Sequence, residues 1–239
     1  MRCLSIVYLL TLGACADVTV QSTPPAPAPA AQPSGDPSPR LSQRQAVHNF
    51  EVVVRRVEPV AEQICRTRAP QLNCDFRIVV DNRPNQGVNA FQTLDKNGRP
   101  IIGFTIPMIA EARNRDELAF VMAHEAAHHI RGHIARQQQT AAFGGLLIGS
   151  LASALGATDP GAIEAAQRIG ATVGARTYSK EFELEADALG VRIADAAGFD
   201  PLRGAEFFFR IPDPGDRFLG THPPNADRLR TVQRAAAGI

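Results

Sequence analysis

Residues 114–133 read N-R-D-E-L-A-F-V-M-A-H-E-A-A-H-H-I-R-G-H, and this stretch decides the architecture. Asn114 with Glu117 three positions later is a helix-start pair, a side-chain acceptor for free N–H groups backed by an acid in the first turn. The helix it opens is expected to run through His133. At about 100° per residue, His124 and His128 lie about 40° apart, so both imidazoles leave one face and can share one zinc. Glu125 stands beside them, placed to reach a water without binding the metal. Ala119, Phe120, Val121, Met122, Ala123, Ala126 and Ala127 surround the trio with apolar side chains. Buried His and Glu need a partner to offset desolvation, and a metal ion supplies one.

Catalytic zinc usually takes three protein ligands and keeps one position open. A third His in the metzincin pattern would require Gly at 131 and His at 134, where this chain has Arg131 and Ile134. His133 lies about 180° from His124 on a continuous helix, which excludes it from a shared ion. The alternative is a carboxylate from a second helix, Y-S-K-E-F-E-L-E-A-D-A-L-G over residues 178–190. Glu183 and Asp187 share one face of that helix, Glu181 and Glu185 another. Spacing does not choose between the faces, although the Glu181–Glu185 face reads as solvated.

The rest of the chain says where this chemistry works. Its 239 residues are 44% apolar and 21% charged, a globular composition that excludes disorder throughout and fibrous repeats. With 25 basic against 24 acidic residues, no basic excess exists for nucleic acid, which is not expected as a partner. The opening M-R-C-L-S-I-V-Y-L-L-T-L-G-A-C has one Arg, an apolar run from Cys3 to Leu12 and a small-residue end. That is the layout of a secretory signal, too short to span a bilayer. Leu12-Gly13-Ala14-Cys15 further resembles the lipobox of bacterial lipoproteins, in which Cys15 would carry the lipid. Residues 19–40 hold 7 of the 18 prolines and no apolar period, a solvated tether. The expected organisation is a signal peptide over 1–14, the lipidated Cys and Pro/Ala-rich linker over 15–41, and one domain over 42–239. In an exported chain Cys65 and Cys74 are expected to form a disulfide, since a metal site there lacks a second Cys/His pair.

Within that domain residues 42–69 form a helix with Val47, Phe50, Val54, Val57 and Ile64 as its apolar stripe. Phe76–Asp81, Val88–Leu94 and Ile101–Ile106 are strands of a small antiparallel sheet, with Asn97-Gly98 as a hairpin turn. Residues 140–158 are uncharged for 19 positions, four of them Gly. Large apolar residues are few there, so the segment reads as a packed helical pair or a lid. A membrane span is the alternative, although it would separate the two helices that must meet. Helices follow over about 161–176, 179–197 and 201–210, with a last one after Pro223 and Pro224.

Four motifs in fixed order, H-E-A-A-H-H-I-R-G-H, E-L-E-A-D-A-L-G, A-G-F-D-P and T-H-P-P-N-A-D-R-L, resemble the HtpX/BepA-like zinc metallopeptidases. This is metallopeptidase family 48, with the CAAX prenyl endopeptidases and Oma-type mitochondrial proteases among its relatives. The likeness runs from about Val88 to Leu229. It implies an α+β, mainly helical, gluzincin-type domain whose small sheet accompanies an H-E-x-x-H helix. It implies one Zn2+ per chain held by His124, His128 and Glu183, with Asp187 steadying a ligand His through its other ring nitrogen. It also implies that Val88–Phe91 borders the cleft, where a substrate could pair as an added strand. Zinc would activate a water, and Glu125 would take its proton and return it to the leaving amine. His222 is a candidate oxyanion donor or a cap on the open zinc position, unless it is a surface His before a Pro-initiated helix.

The expected function is a zinc endopeptidase of the bacterial envelope that degrades misfolded or misassembled proteins. It would face the periplasm, lipid-anchored to the outer membrane. A chaperone-like factor for outer-membrane protein assembly, with latent proteolysis, is a second reading. A third, an integral membrane protease, requires residues 140–158 to span.

Overall fold

The computed structural model describes residues 39–177, 179–211 and 223–239; Cys15 and His222 lie outside them. Ser42 and Gln45 close a capping box that starts α1, Gln43–Arg68. Its buried line is Ala46, Phe50, Val53, Val57, Ala61 and Cys65. Of the expected stripe Phe50 and Val57 lie on this line, whereas Val47 is exposed and Val54 and Ile64 only border the core. Ala46, Ala61 and Cys65 are small enough for α1 to lie close to its neighbours, which outweighs the pull of the larger branched residues one position away. Cys65 and Cys74 are disulfide-bonded, with Cα atoms 5.7 Å apart. The bond ties the end of α1 to the approach of the sheet.

That sheet holds β1 (Arg77–Asp81), β2 (Ala90–Leu94) and β3 (Pro100–Thr105) in the order β1-β3-β2. β2 and β3 are antiparallel and β1 is parallel to β3, so the sheet is mixed where the sequence suggested wholly antiparallel pairing. The strand directions alternate as in a meander. Only the order differs: β3 inserts between the other two, and a third strand that reverses twice must run parallel to the first. The β2–β3 turn is tight, with the Gly98 N–H donating to the Asp95 carbonyl and Gly98 at φ +79°. Thr105 then caps the short α2, Ile106–Glu111.

Asn114 accepts from the Glu117 N–H and opens α3, Arg115–Ile130. This helix is buried on nearly all sides and packs against α1, the sheet and the later helices. Glu117 itself is fully buried, its two oxygens taken by Arg210 at 2.7 and 2.5 Å. α3 stops at Ile130, short of the expected end at His133. Gly132 adopts the left-handed conformation, φ +66°, and the chain sets off on a new axis as α4, His133–Ala154.

α4 and α5 (Pro160–Thr177) form an antiparallel hairpin that packs chiefly on itself. Its seam is glycine: a Cβ on Gly144 would sit 2.3 Å from the Gly170 carbonyl oxygen, and one on Gly174 2.2 Å from that of Thr140. The backbones touch, and Phe143, Leu146, Leu147, Leu151 and Leu155 turn outward to solvent. None of the described helices is long and apolar enough to cross a membrane.

α6 (Ser179–Ala196) returns against α3 and ends at Gly198, φ +77°. α7 (Pro201–Ala205), a 3-10 turn (Glu206–Phe209) and α8 (Asn225–Ala236) close the core beside α3 and α6.

Candidate active site

Because α3 and α6 pack side by side, the two motif helices present their polar faces to each other. Gly190 permits the approach: a Cβ there would stand 3.2 Å from the His124 backbone nitrogen. The result is a cluster in which one ligand atom each of His124, His128 and Glu183 lies within 4.8 Å of the others. His124 Nε2 and His128 Nε2 are 3.0 Å apart, and the Glu183 oxygens lie 3.5 and 3.4 Å from them. Of the two acidic faces that spacing left open, the one turned to the histidines is that of Glu183 and Asp187. His129, by contrast, points to the opposite side, where its Nε2 lies 2.8 Å from the Asn73 carbonyl oxygen.

Each converging histidine is gripped from behind. His124 Nδ1 lies 2.9 Å from Asp187 Oδ1. Asp187 is fully buried, and Arg228 of α8 donates to both of its oxygens at 2.8 and 2.6 Å. The Arg228 guanidinium is stacked 3.8 Å from the centre of the Phe208 ring. Burial alone would lower the His124 pKa, but its hydrogen bonds to the Asp187 and Glu183 carboxylates outweigh it and raise the group to about 10. Burial works against the Asp187 charge too, yet the charge and hydrogen bonds of Arg228 hold its pKa below the usual carboxylate range. A site that anionic holds a proton on His124 strongly, and for the same electrostatic reason it suits a cation.

On the other side, His128 Nδ1 meets His133 Nδ1 at 2.8 Å, and His133 Nε2 lies 3.3 Å from Glu185 Oε2. Arg136 donates to both Glu185 oxygens, at 2.7 and 3.1 Å. His133 is nearly buried and stacked on Phe182 with ring centres 4.6 Å apart. Its burial, and the neighbouring His128, push its pKa down to about 4. The reading of Glu185 as solvated is thereby corrected. α4 delivers an arginine to it, and the Arg136 hydrogen bonds bring the Glu185 carboxyl down to about 2.

The cluster opens into a cleft of about 580 Å³. Glu125 lines it beside His124, and the strand region from Val88 to Gln92 forms one border, with Phe120, Val121, Phe207 and Phe208 among its apolar walls. Arg228, His133 and Arg136 are the residues that sequence reasoning did not assign. Arg228 sits inside the T-H-P-P-N-A-D-R-L motif, but no local spacing connects it to an Asp 41 positions away.

Peptidase family M48 matches this chain over residues 48–236, a stretch that contains every residue of the cluster and both of its supports. The chain belongs to peptidase family M48. Among curated proteins, a putative beta-barrel assembly-enhancing protease of Vibrio cholerae is 35% identical over 142 residues, covering 54% of this chain and 29% of that protein. The beta-barrel assembly-enhancing protease of Escherichia coli K12 is 28% identical over 166 residues, covering 64% of this chain and 33% of its own length. The matched part thus spans about a third of these M48 relatives. M48 peptidases are metal-dependent, and two imidazoles with one carboxylate suit a first-row divalent cation.

Proposed function

We propose that this M48 chain is a zinc endopeptidase, with His124, His128 and Glu183 holding one zinc and Glu125 acting as general base. The observation that carries the reading is the convergence of two Nε2 atoms and a carboxylate in a cleft that Glu125 lines. The two Nε2 atoms are 3.0 Å apart, and each faces a different oxygen of the Glu183 carboxylate, at 3.5 and 3.4 Å, close enough for all three side chains to share one ion with bonds of about 2.0–2.1 Å. When bound, zinc supplies Lewis acidity, polarising a carbonyl and making water acidic enough to attack near neutral pH. The Glu125 carboxylate takes the proton of the attacking water and passes it to the amine as the C–N bond breaks. Asp187 and Arg228 hold His124 in its plane meanwhile. β2 is the outer strand on the cleft side of the sheet, so an extended substrate can lie beside it while the Phe side chains receive its apolar residues.

The substrates we infer are unfolded or misassembled envelope proteins, in keeping with relatives named for enhancing beta-barrel assembly. Export, a lipid on Cys15 and an outer-membrane address belong to the same proposal and rest on the sequence of the first 16 residues. The test is casein digestion by the purified protein with metal analysis. Near one zinc per chain is expected, with Glu125→Gln keeping the metal and losing roughly 10²–10⁴-fold in rate. Glu183→Gln should lose the zinc. A folded wild-type chain that takes up no zinc overturns the reading, and zinc without cleavage points to binding as the function.

A further inference from the structure

We propose that His133 is a positioning residue of the metal centre: it fixes the tautomer and the ring plane of His128 through hydrogen bonds that run one way from His128 to Glu185, a carboxylate clamped by Arg136. The proposal rests on the reading of His128 as a metal ligand, and it concerns a residue that is not itself a ligand. On a continuous helix His133 would point away from the site. The left-handed Gly132 restarts the chain as α4 and turns His133, its first residue, back beneath His128.

The direction of each bond follows from counting protons. His128 Nε2 faces His124 Nε2 at 3.0 Å and Glu183 Oε1 at 3.4 Å, so as a ligand it must present a lone pair there. A neutral imidazole carries one proton, which then sits on Nδ1. That nitrogen faces His133 Nδ1, 2.8 Å away. His133 must accept, so its own proton is on Nε2, facing Glu185 Oε2 at 3.3 Å. Glu185 can only accept, and its two oxygens are held in place by Arg136 at 2.7 and 3.1 Å. Each link has one permitted polarity, and reversing either histidine link would place a proton on the His128 nitrogen that would face the ion. Stacking on Phe182, with the two ring planes 9° apart, fixes the plane of the His133 ring. A histidine buried only to fill space would have no reason to aim Nδ1 at a ligand and Nε2 at a clamped carboxylate.

The test is competition for Zn2+ between a chromophoric chelator and the purified full-length protein. Two variants are compared with the wild type. His133→Phe keeps a ring on Phe182 and removes both nitrogens. His133→Gln keeps an acceptor for His128 and a donor for Glu185. The expected result is a Zn2+ dissociation constant raised roughly 10–100-fold in His133→Phe, with most of the loss recovered in His133→Gln. The Co2+-loaded protein should show altered d–d bands in the Phe variant alone. A His133→Phe protein that binds Zn2+ as the wild type does overturns the proposal, whatever its activity. Should that variant fail to fold by circular dichroism, Glu185→Ala reads the same chain from its outer end, and unchanged Zn2+ affinity there overturns the proposal equally. A wild type that binds no Zn2+ while folded refutes the ligand reading itself, an outcome distinct from an idle His133.

Discussion

His124 and His128 lie one turn apart on the same helix, yet the molecule orients them by different physics. Behind His124 stands a sealed ion pair: Asp187 has a fully buried side chain, that of Arg228 is 8% exposed, and Phe208 covers the guanidinium. Behind His128 stands a longer chain whose outer members, Glu185 and Arg136, are 34% and 42% exposed. In the sealed pair each charge depends on its partner, because water reaches Asp187 not at all and Arg228 very little. In the open chain water can replace a lost partner. The same task, holding one imidazole by its Nδ1, is therefore rigid and costly to break on one side, and cheaper but repairable on the other.

The largest expected effect follows from breaking the sealed side. Arg228→Leu leaves Asp187 as a buried charge without its counter-ion and should destabilise the domain by about 3–5 kcal/mol. Arg136→Leu removes an exposed partner and should cost no more than about 1 kcal/mol. Denaturant unfolding of the two variants under one condition measures the difference. Equal losses would mean that solvent reaches both sides alike.

Metal affinity sharpens the comparison at a smaller cost to the fold. Asp187→Asn retains an oxygen that can accept from His124 but gives up the negative charge that favours a cation nearby. The Zn2+ dissociation constant should rise roughly 10–100-fold, measured by chelator competition. The change should also weaken Arg228, whose two contacts to Asp187 depend on both carboxylate oxygens. Should Asp187→Asn bind Zn2+ normally, orientation of His124 by geometry alone would suffice and the charge would be dispensable.

What the sequence makes legible follows from the range of each interaction. The H-E-x-x-H helix is readable because its periodicity is local, and the acidic helix because two of its faces each carry acids four residues apart, although only packing chooses the face of Glu183 and Asp187. The turn of His133 back to the site is not, since counting degrees along a helix holds only while the helix continues, and Gly132 resets the phase. The three strands are visible as apolar runs, but the insertion of β3 between β1 and β2 depends on a long-range pairing that no window of sequence contains. In the hairpin, the absence of charge over 140–158 is plain in the sequence. Which residues form the seam is not, because glycines there let two backbones touch and leave Leu147 and Leu151 outside. Hydrophobicity would have placed them inside. The pairing of Arg228 with Asp187 is of the same kind: two charges far apart in sequence, joined only once α6 and α8 have packed.

The smallest effect is also the most direct reading of the open side. Glu185 is about a third exposed, and the Arg136 hydrogen bonds bring its carboxyl to about 2 from an ordinary value near 4.5. A carboxylate whose folded pKa is depressed contributes stability that is fully present above its unfolded value and is lost as pH falls through the folded one. The Glu185–Arg136 contact should thus be intact at every pH above about 4.5 and fade only as pH falls toward 2. Carboxyl-carbon NMR of the folded protein should show Glu185 titrating near 2, and Arg136→Gln should move its midpoint up toward 4.5. A midpoint near 4.5 in the wild type would mean that the arginine clamp does not hold in solution. His133 Nε2 would then face a carboxylate free to turn away, and the support behind His128 would end one residue earlier, at the stack on Phe182.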